Sequence, residues 1–258
     1  GAFRFSAAEE VAGGTSYDYI FISAKSLDTE GICRSFADVI AGHEVVSLQN
    51  GIGNEEIIAR YTDRVIGGTI ITGFEWRGTA EVHVTVEAGP VKLGRFPDGL
   101  DAPVETLVQL LQRAGIRAEG SPHIRADLWA KTIYNRALNP LGAVMDVPYG
   151  ELGHPAAWRI IEGIVGEAFA VVEAEGVRLP WNDAAGYLEY LRTFQLPATA
   201  SHHSSMLQDI TRGRKTEIDF LNGAIVERAK KYGVPAPVNA TIADLIRFKE
   251  ALAAGGSR

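Results

Sequence analysis

The chain is 258 residues long, which allows a sizeable buried core and one or two domains. Its composition, with 46% hydrophobic and 22% charged residues, is typical of a soluble globular protein. The net charge of −7 and the lack of a basic stripe argue against nucleic acid as a main partner. The single cysteine, Cys33, allows no internal disulfide, which is typical of a reducing cytoplasm, and the apolar runs are too short to span a membrane.

The first part of the chain alternates between strand and helix patterns, after a weak strand and a Gly-rich lead-in within residues 1–16. Strands are predicted over residues 18–25, 44–51 and 65–73, and helices over residues 28–41 and 55–61. The uninterrupted apolar run of the first strand indicates burial on both faces. Asn54 is placed to cap the second helix. This order of elements is typical of a doubly wound, mostly parallel sheet.

A change of pattern follows the third strand. Residues 81–89 and 90–96 are predicted to form two antiparallel strands joined by a Gly-Pro turn. A helix is predicted over residues 103–114, with proline at its start and glycine just past its end.

Strand patterns end at the turn signals of residues 120–122, which predict a domain boundary. Helices are predicted beyond it, over residues 125–145, 155–176, 181–196, 202–213, 217–232 and 239–254. The predicted fold class is therefore an α/β, Rossmann-like lobe at residues 1–122, followed by an all-α domain at residues 123–258.

Lys131, Asn135 and Asn139 recur every four residues within the helix predicted at residues 125–145. At 3.6 residues per turn these three side chains share one side of the helix. Exposed helix faces usually carry mixed charges, and asparagine is a poor helix former, so we interpret the stripe as a ligand-binding surface. Pro140 is predicted to kink or stop the helix beside Asn139.

Polar residues also close two neighbouring strands, because Lys25 ends the first strand and Asn50 follows the second. In a doubly wound sheet, ligands bind outside the carboxyl ends of the strands. Gly51 and Gly53 would let the backbone come close to a ligand. Each feature alone is more often structural, but together they indicate the floor of a nucleotide or cofactor site.

Residues 202–222 are unusually polar for the middle of a helical lobe. Ser205 and Asp209 are predicted one helical turn apart, and Glu217 is predicted in the first turn of a helix, where the dipole favours its charged form. A purely structural reading stays open, in which a serine caps a helix, Asp209 pairs with Arg212, and Glu217 is an ordinary first-turn acid.

Four segments, in their order and spacing, resemble the ketopantoate reductase family. They are SLQNGIGNEE (47–56), RADLWAKTIYNRALNPLGA (125–143), PYGEL (148–152) and HHSSMLQDITRGRKTEIDFLNGAI (202–225). The last segment is the most specific, and the similarity runs over nearly the whole chain, from Tyr17 to about Glu250.

The resemblance implies a Rossmann-type lobe for NADPH and a helical lobe for substrate. The implied reaction is hydride transfer to a 2-keto acid such as 2-dehydropantoate, as in pantothenate biosynthesis. Lys131 would be the general acid that protonates the ketone oxygen, and Glu217 would bind a substrate hydroxyl and help to position Lys131. The remaining implied site residues are Asn135, Asn139 and Ser205 for substrate, and Lys25 and Asn50 for the cofactor.

Three features depart from the family pattern. Tyr149 and His202 stand where the family often has asparagine near the substrate, which leaves room for a differently shaped keto acid. Adjacent His202 and His203 have no further ligands at metal spacing, so no metal is expected. The chain has no GxGxxG motif, so the Rossmann-like lobe is expected to lack its first βαβ unit and cofactor binding to be weak or lost.

Two other readings stay open. One is a non-catalytic homologue that binds a ligand or dimerises through its helical lobe, although the presence of both Lys131 and Glu217 argues against decay. The other is a different two-lobe dehydrogenase acting on 3-hydroxy acids, which the SSMLQD and TEID segments disfavour. We expect a cytoplasmic oxidoreductase with a small-molecule substrate, which could form a homodimer.

Overall fold

The computed structural model describes residue 11 and residues 16–79, 81–87 and 89–255, so the weak strand predicted within residues 1–16 lies almost wholly outside the described residues. The strands within the described part are β1 (Tyr19–Ile22), β2 (Glu44–Ser47), β3 (Val65–Thr69), β4 (Thr72–Gly78), β5 (Glu81–Glu87), β6 (Val91–Arg95) and β7 (Ala118–Gly120).

Five of these strands form one mixed sheet in the order β1-β2-β3-β6-β7. β1, β2 and β3 are parallel to one another, β6 is antiparallel to β3, and β7 is parallel to β6. This arrangement, with helices following, confirms the predicted α/β class and the parallel pairing of the first three strands.

The predicted pairing of residues 81–89 with residues 90–96 is wrong. β5 pairs with β4 in a separate two-stranded antiparallel sheet, whereas β6 joins the main sheet beside β3. An alternating pattern marks a strand but does not name its partner, which is set by register and by the surrounding fold. The short strand β7 was not predicted, because residues 118–120 read as part of a turn.

The prediction that the first strand is buried on both faces is also wrong. Phe21 is 45% exposed, whereas Ile22 is buried. β1 has a neighbouring strand only on the β2 side within the described residues, so it forms an edge of the sheet there.

The helices are α1 (Thr29–Ser35), α2 (Ala37–Ile40), α3 (Asn54–Ile58), α4 (Ala102–Arg113), α5 (Ile124–Met145), α6 (Pro155–Ala174), α7 (Ala184–Tyr190), α8 (Leu196–Ala198), α9 (Ser205–Thr211), α10 (Asn222–Tyr232) and α11 (Pro237–Gly255). Short 3₁₀ turns lie at Ser26–Asp28, Tyr149–Gly153 and Ile218–Phe220, and a π-helical turn at Leu191–Gln195 joins α7 to α8. Across the described ranges, no helix is long and apolar enough to cross a bilayer.

Three predicted helices differ in detail. The helix predicted at residues 28–41 is interrupted at Phe36, which separates α1 from α2. Asn54 does not cap α3, because Gly53 holds the N-cap position and the Asn54 carboxamide donates to the Asn50 carbonyl instead. Glu217 precedes a 3₁₀ turn and α10 begins only at Asn222, so Glu217 does not lie in the first turn of an α-helix.

The predicted stop at Pro140 is wrong, because α5 continues to Met145. Proline lacks an N–H, so the carbonyl of Arg136 loses its helical donor. Nδ2 of Asn222 donates to that carbonyl at 3.5 Å, which supplies a replacement from another helix. The flanking Leu138 and Leu141 are fully buried, and their packing opposes the local preference of proline to end a helix.

The sheet is covered on both faces. Val46 and Ile66 pack in a cluster with α4, whereas Val45 and Val65 pack in a cluster with α1, α2 and α3. Neighbouring residues of a strand point to opposite faces, so one strand serves both layers. Cys33 is a fully buried free thiol in the second cluster, as expected for a core residue.

α5 joins the sheet to the helical lobe. It packs against β3 and β6 and also against α6, α9 and α11. Gly94 of β6 makes the close approach feasible, because a Cβ there would lie 2.3 Å from the Ser121 carbonyl oxygen and 2.7 Å from Cβ of Ile124. The side chains of α5 are therefore presented at the junction of the two lobes, and the division at residue 122 stays a prediction.

Candidate functional site

The predicted stripe of Lys131, Asn135 and Asn139 is not a solvated face. Every residue of α5 from Ile124 to Val144 is buried or half-buried, and the three stripe residues are half-buried. An exposed helix face would carry fully exposed side chains instead. The stripe thus lines a shielded polar surface at the lobe junction.

Lys131 lies within the electrostatic range of two carboxylates. Burial lowers the pKa of its ammonium to about 8, and Glu217 and Glu55 oppose that shift by raising it. Lys131 makes neither an ion pair nor a hydrogen bond with the described residues. Its three N–H groups therefore remain available to a ligand.

Glu217 accepts hydrogen bonds from residues of the sheet lobe. The backbone N–H and the hydroxyl of Ser26 both lie 3.1 Å from its Oε1, and Nδ2 of Asn50 lies 3.5 Å from its Oε2. Ser26 is fully buried, and its hydroxyl also contacts the Asn50 carbonyl at 2.7 Å. The structure thus brings predicted residues Glu217, Asn50 and Lys131 together.

Lys25, predicted to contact the cofactor, forms an ion pair across the lobes. Its Nζ lies 2.5 Å from Oδ2 of Asp209, and both side chains are half-buried. The alternative partner of Asp209 considered from the sequence, Arg212, is therefore wrong. The carboxyl ends of β1 and β2 face the acids of the helical lobe.

The glycine turn after β2 is docked on the helical lobe. Gly51 has φ +89°, and a Cβ there would lie 2.6 Å from the carbonyl oxygen of Phe220. The next residue, Ile52, donates its N–H to that same oxygen at 3.1 Å. Gly51 therefore permits close approach of protein backbone, whereas a Cβ on Gly53 would meet nothing within 4 Å.

Asn139 is held by residues from two segments. The buried hydroxyl of Tyr149 donates to its Oδ1, and Oγ of Ser204 donates to its carbonyl at 2.7 Å. Ser204 also accepts from the N–H of Leu207 and so caps α9. With Oδ1 engaged, the carboxamide offers its two N–H donors to a ligand.

Tyr149 belongs to a group of aromatic rings beside Asn139. Its centroid lies 5.2 Å from that of His202 and 6.4 Å from that of Tyr134, both in edge contacts. Burial raises the pKa of the Tyr149 hydroxyl, so it stays protonated and able to donate. The two departures from the family pattern, Tyr149 and His202, thus lie side by side.

Asn135 and Ser205 are the predicted residues with the least support from contacts. Neither side chain forms a hydrogen bond with the described part of the chain, and Asn135 is half-buried while Ser205 is exposed. Their substrate-binding roles stay predictions. No group of three metal-ligating side chains occurs among the described residues, and His202 and His203 are both exposed.

Sequence reasoning missed two residues of this site, Glu55 and Ser26. Glu55 is 1% exposed, and burial raises the pKa of its carboxyl to about 7, with nearby Lys131 opposing the shift. A signal for Glu55 existed, because it lies three residues before the buried Ile58 and so shares the inner face of α3. No local pattern pointed to Ser26, whose partner lies 191 residues away.

The fold and this cluster together define the class of two-lobe oxidoreductases with a Rossmann-like and a helical lobe. The family model described as ketopantoate reductase PanE/ApbA matches residues 3–98, and the one described as its C terminal matches residues 123–250. The chain belongs to the ketopantoate reductase family, as its sequence segments predicted.

Individual proteins support the same assignment. The 2-dehydropantoate 2-reductase of Archaeoglobus fulgidus is 36% identical over 234 residues, which cover 90% of this chain and 76% of that protein. A PanE/ApbA family ketopantoate reductase from Ralstonia eutropha JMP134 matches in structure with a TM-score of 0.81 and 30% identity, over 92% of this chain and 76% of the other. D-mandelate dehydrogenase with NADH and anilino(oxo)acetate matches with a TM-score of 0.84 and 29% identity, over 95% and 79%.

Proposed function

We propose that this protein reduces a 2-keto acid to the 2-hydroxy acid at the lobe junction, with NADPH as the hydride donor. The observation that carries the proposal is the state of Lys131, a half-buried ammonium near two carboxylates that forms no direct ion pair or hydrogen bond with any described residue. The 2-dehydropantoate 2-reductase relatives support the same reaction class, and 2-dehydropantoate is the first candidate substrate.

Lys131 is suited to protonate the ketone oxygen. An ammonium polarises a carbonyl and stabilises the alkoxide that develops on it, and these effects are strongest where water is excluded. A pKa of about 8 makes Lys131 a stronger acid than free lysine, yet about nine tenths of it stays protonated at pH 7. The proton moves from Nζ to the substrate oxygen, and the amine then regains a proton from water.

The other polar residues are suited to bind and orient the substrate. Asn139 offers N–H donors, which match the acceptor oxygens of a keto acid. Glu217, a carboxylate, would accept a hydrogen bond from a substrate hydroxyl and would draw the Lys131 ammonium towards the reacting carbonyl. Asn135 and Ser205 would add further hydrogen bonds to the substrate.

Lys25 and Asn50 are the described residues that would hold the nicotinamide cofactor. They follow β1 and β2, which are adjacent parallel strands, and both carry N–H donors suited to phosphate and ribose oxygens. When bound, the reduced cofactor supplies the hydride. Lys25 also pairs with Asp209, and its ammonium has further N–H donors that it can offer to the cofactor.

An aromatic 2-keto acid is a second candidate substrate. The contiguous rings of Tyr134, Tyr149 and His202 lie beside Asn139, where an apolar substituent could pack. The structural neighbour D-mandelate dehydrogenase is described with anilino(oxo)acetate, which carries a phenyl ring, and with NADH. The cofactor test therefore has to include NADH.

The test is a panel of 2-keto acids with NADPH and with NADH, assayed on the full-length protein by loss of absorbance of the reduced cofactor. We expect turnover that depends on the keto acid and is faster with NADPH. Preference for phenylglyoxylate over 2-dehydropantoate would select the aromatic candidate. No turnover with any member of the panel would favour the non-catalytic homologue.

A further inference from the structure

We infer that Glu55 is a second charge partner of Lys131 and acts on the proposed reaction through that lysine. The inference deepens the proposed function and rests on it. Glu55 is assigned as a positioning residue, which acts through Lys131, and not as a group that touches substrate.

The position of Glu55 supports this inference. The residue lies in the first turn of α3, is 1% exposed, and its Oε1 makes no hydrogen bond with a described residue. A buried carboxylate that makes no ion pair and leaves one oxygen without a hydrogen bond is costly and is rarely kept for packing alone. The adjacent Glu56 shows the contrast, since it is half-exposed and binds Nη2 of Arg228 at 2.6 Å.

Glu55 and the site helix converge over β3. A Cβ on Gly67 would lie 3.6 Å from Cγ of Glu55 and 3.3 Å from Cδ1 of Leu128. Lys131 follows Leu128 by three residues and so lies on the same side of α5. The Glu55 carboxylate thus approaches the lysine from the sheet lobe and Glu217 approaches it from the helical lobe, and both act on its charge without forming a direct ion pair.

Few charged groups act on this pair. The groups acting on Lys131 are Glu217 and Glu55, and those acting on Glu55 are Glu56 and Lys131. Glu56 is neutralised in part by Arg228, and the Lys25 ammonium is paired with Asp209. Among the residues that the structure describes, Lys131 is therefore the cation that acts on Glu55.

The position of Glu55 removes one difficulty of the proposed mechanism. Burial by itself favours the neutral amine, which has no proton to give. Glu217 is expected to change partners when substrate binds, so its charge is not reserved for Lys131. Glu55 cannot be reached by substrate in the same way, because it is buried on the inner face of α3. Its charge therefore stays beside Lys131 and favours the protonated amine before the proton is given and again when it is regained.

The experiment is a carbon NMR titration of Lys131 in protein labelled at lysine, without substrate or cofactor. We expect a midpoint near pH 8 in the unchanged protein, and a midpoint about one pH unit lower in Glu55→Gln. The matched control is Glu56→Gln, which removes the neighbouring carboxylate and should leave the midpoint where it was. An unchanged or higher midpoint in Glu55→Gln overturns the inference.

A reciprocal measurement tests the same coupling if the Glu55→Gln variant folds poorly. Coupled groups shift each other, so Lys131→Met should raise the pKa of Glu55 above about 7, as followed by its carboxyl carbon. An unchanged Glu55 titration overturns the inference independently. Neither titration needs turnover. An inactive protein would therefore count against the proposed function, while the titrations would still show whether Glu55 and Lys131 act on each other.

Kinetics on the active protein separate a positioning role from a merely structural one. In Glu55→Gln the alkaline fall of kcat/KM should begin at lower pH, while KM for the keto acid at neutral pH stays close to that of the unchanged protein. A pH profile that does not move, together with a raised KM, contradicts the assignment.

Discussion

The two carboxylates that act on Lys131 are held in opposite ways. Glu217 is half-buried and receives hydrogen bonds from Ser26 and Asn50, which belong to the other lobe. Glu55 is buried, and its Oε1 makes no hydrogen bond within the described residues. A carboxylate with exchangeable partners can turn to a substrate, whereas a buried one keeps its place beside the nearby cation.

This difference indicates what a buried lysine needs in order to act as a general acid. Full burial can lower a lysine pKa by about 3–5, which would leave little ammonium at neutral pH. A fixed carboxylate, which gains its charge as pH rises through about 7, favours the protonated lysine, and one movable charge links the ammonium to the substrate. Substituting the lysine and the two carboxylates one at a time separates their roles.

Lys131→Ala should have the largest effect, lowering kcat by about 10²-fold or more, because it removes the proton donor. Turnover is measured with NADPH and the best keto acid on the full-length protein. Lys230→Ala is the matched control, since Lys230 lies exposed on α10, where it pairs with the exposed Glu227. Unchanged turnover in Lys131→Ala would exclude the general-acid role.

Glu55→Gln should change how stability depends on pH. The pKa of Glu55 is about 7 in the folded protein against 4.5 for a free side chain, so the folded state binds the extra proton between these values. Stability therefore falls as pH rises through this window, by roughly 3 kcal/mol in total.

The glutamine variant lacks that titration, so it should gain stability relative to the unchanged protein between about pH 5 and about pH 8. Urea unfolding at both values measures the difference. Lys131 titrates in a separate window, from about 8 to 10.5, where its lowered pKa makes stability rise with pH. Parallel pH dependence of the two proteins would contradict the raised pKa that burial gives Glu55.

Glu217→Gln should raise KM for the keto acid by roughly 10-fold, as for loss of a hydrogen bond to a charged group. The substitution keeps the shape of the side chain, so the 3₁₀ turn after it should persist. Asp219→Asn is the control, because Asp219 is exposed and pairs with Arg247 instead. An effect confined to thermal stability would support the structural reading of Glu217.

Tyr149→Phe should have the smallest effect, a loss of about 1 kcal/mol of stability, because Asn139 loses the hydroxyl that donates to its Oδ1. Tyr134→Phe, which removes a hydrogen bond to Thr199, is the comparison. Thermal melts give the stability, and KM reports whether the Asn139 carboxamide has turned. Unchanged stability and unchanged KM in Tyr149→Phe would show that Tyr149 does not fix Asn139.

Local patterns were sufficient for the elements that the site rests on. The α5 helix and its Lys/Asn stripe follow from a period of 3.6 and from an unusual choice of polar residues, and both are readable within 22 residues. The parallel strands β1 to β3 follow from short apolar runs separated by helices. The stop at Pro140 was wrong because tertiary packing and Asn222 outweigh the local cost.

The contacts between the lobes could not be predicted from local sequence patterns. The Lys25–Asp209 and Ser26–Glu217 contacts join residues 184 and 191 positions apart, and no spacing rule reaches that far. Sequence placed Lys25 and Asn50 at strand ends but could not show that acids of the helical lobe already bind them. The burial of Glu55 was predictable from the sequence, because its three-residue spacing from Ile58 puts it on the buried face of α3.

The most direct test sets two pH profiles of the same protein side by side, the titration of the Lys131 amine and the alkaline fall of kcat/KM. The kcat/KM profile reports the essential acid of the free enzyme, so both midpoints should coincide near pH 8. Activity that persists unchanged while Lys131 loses its proton would contradict the account.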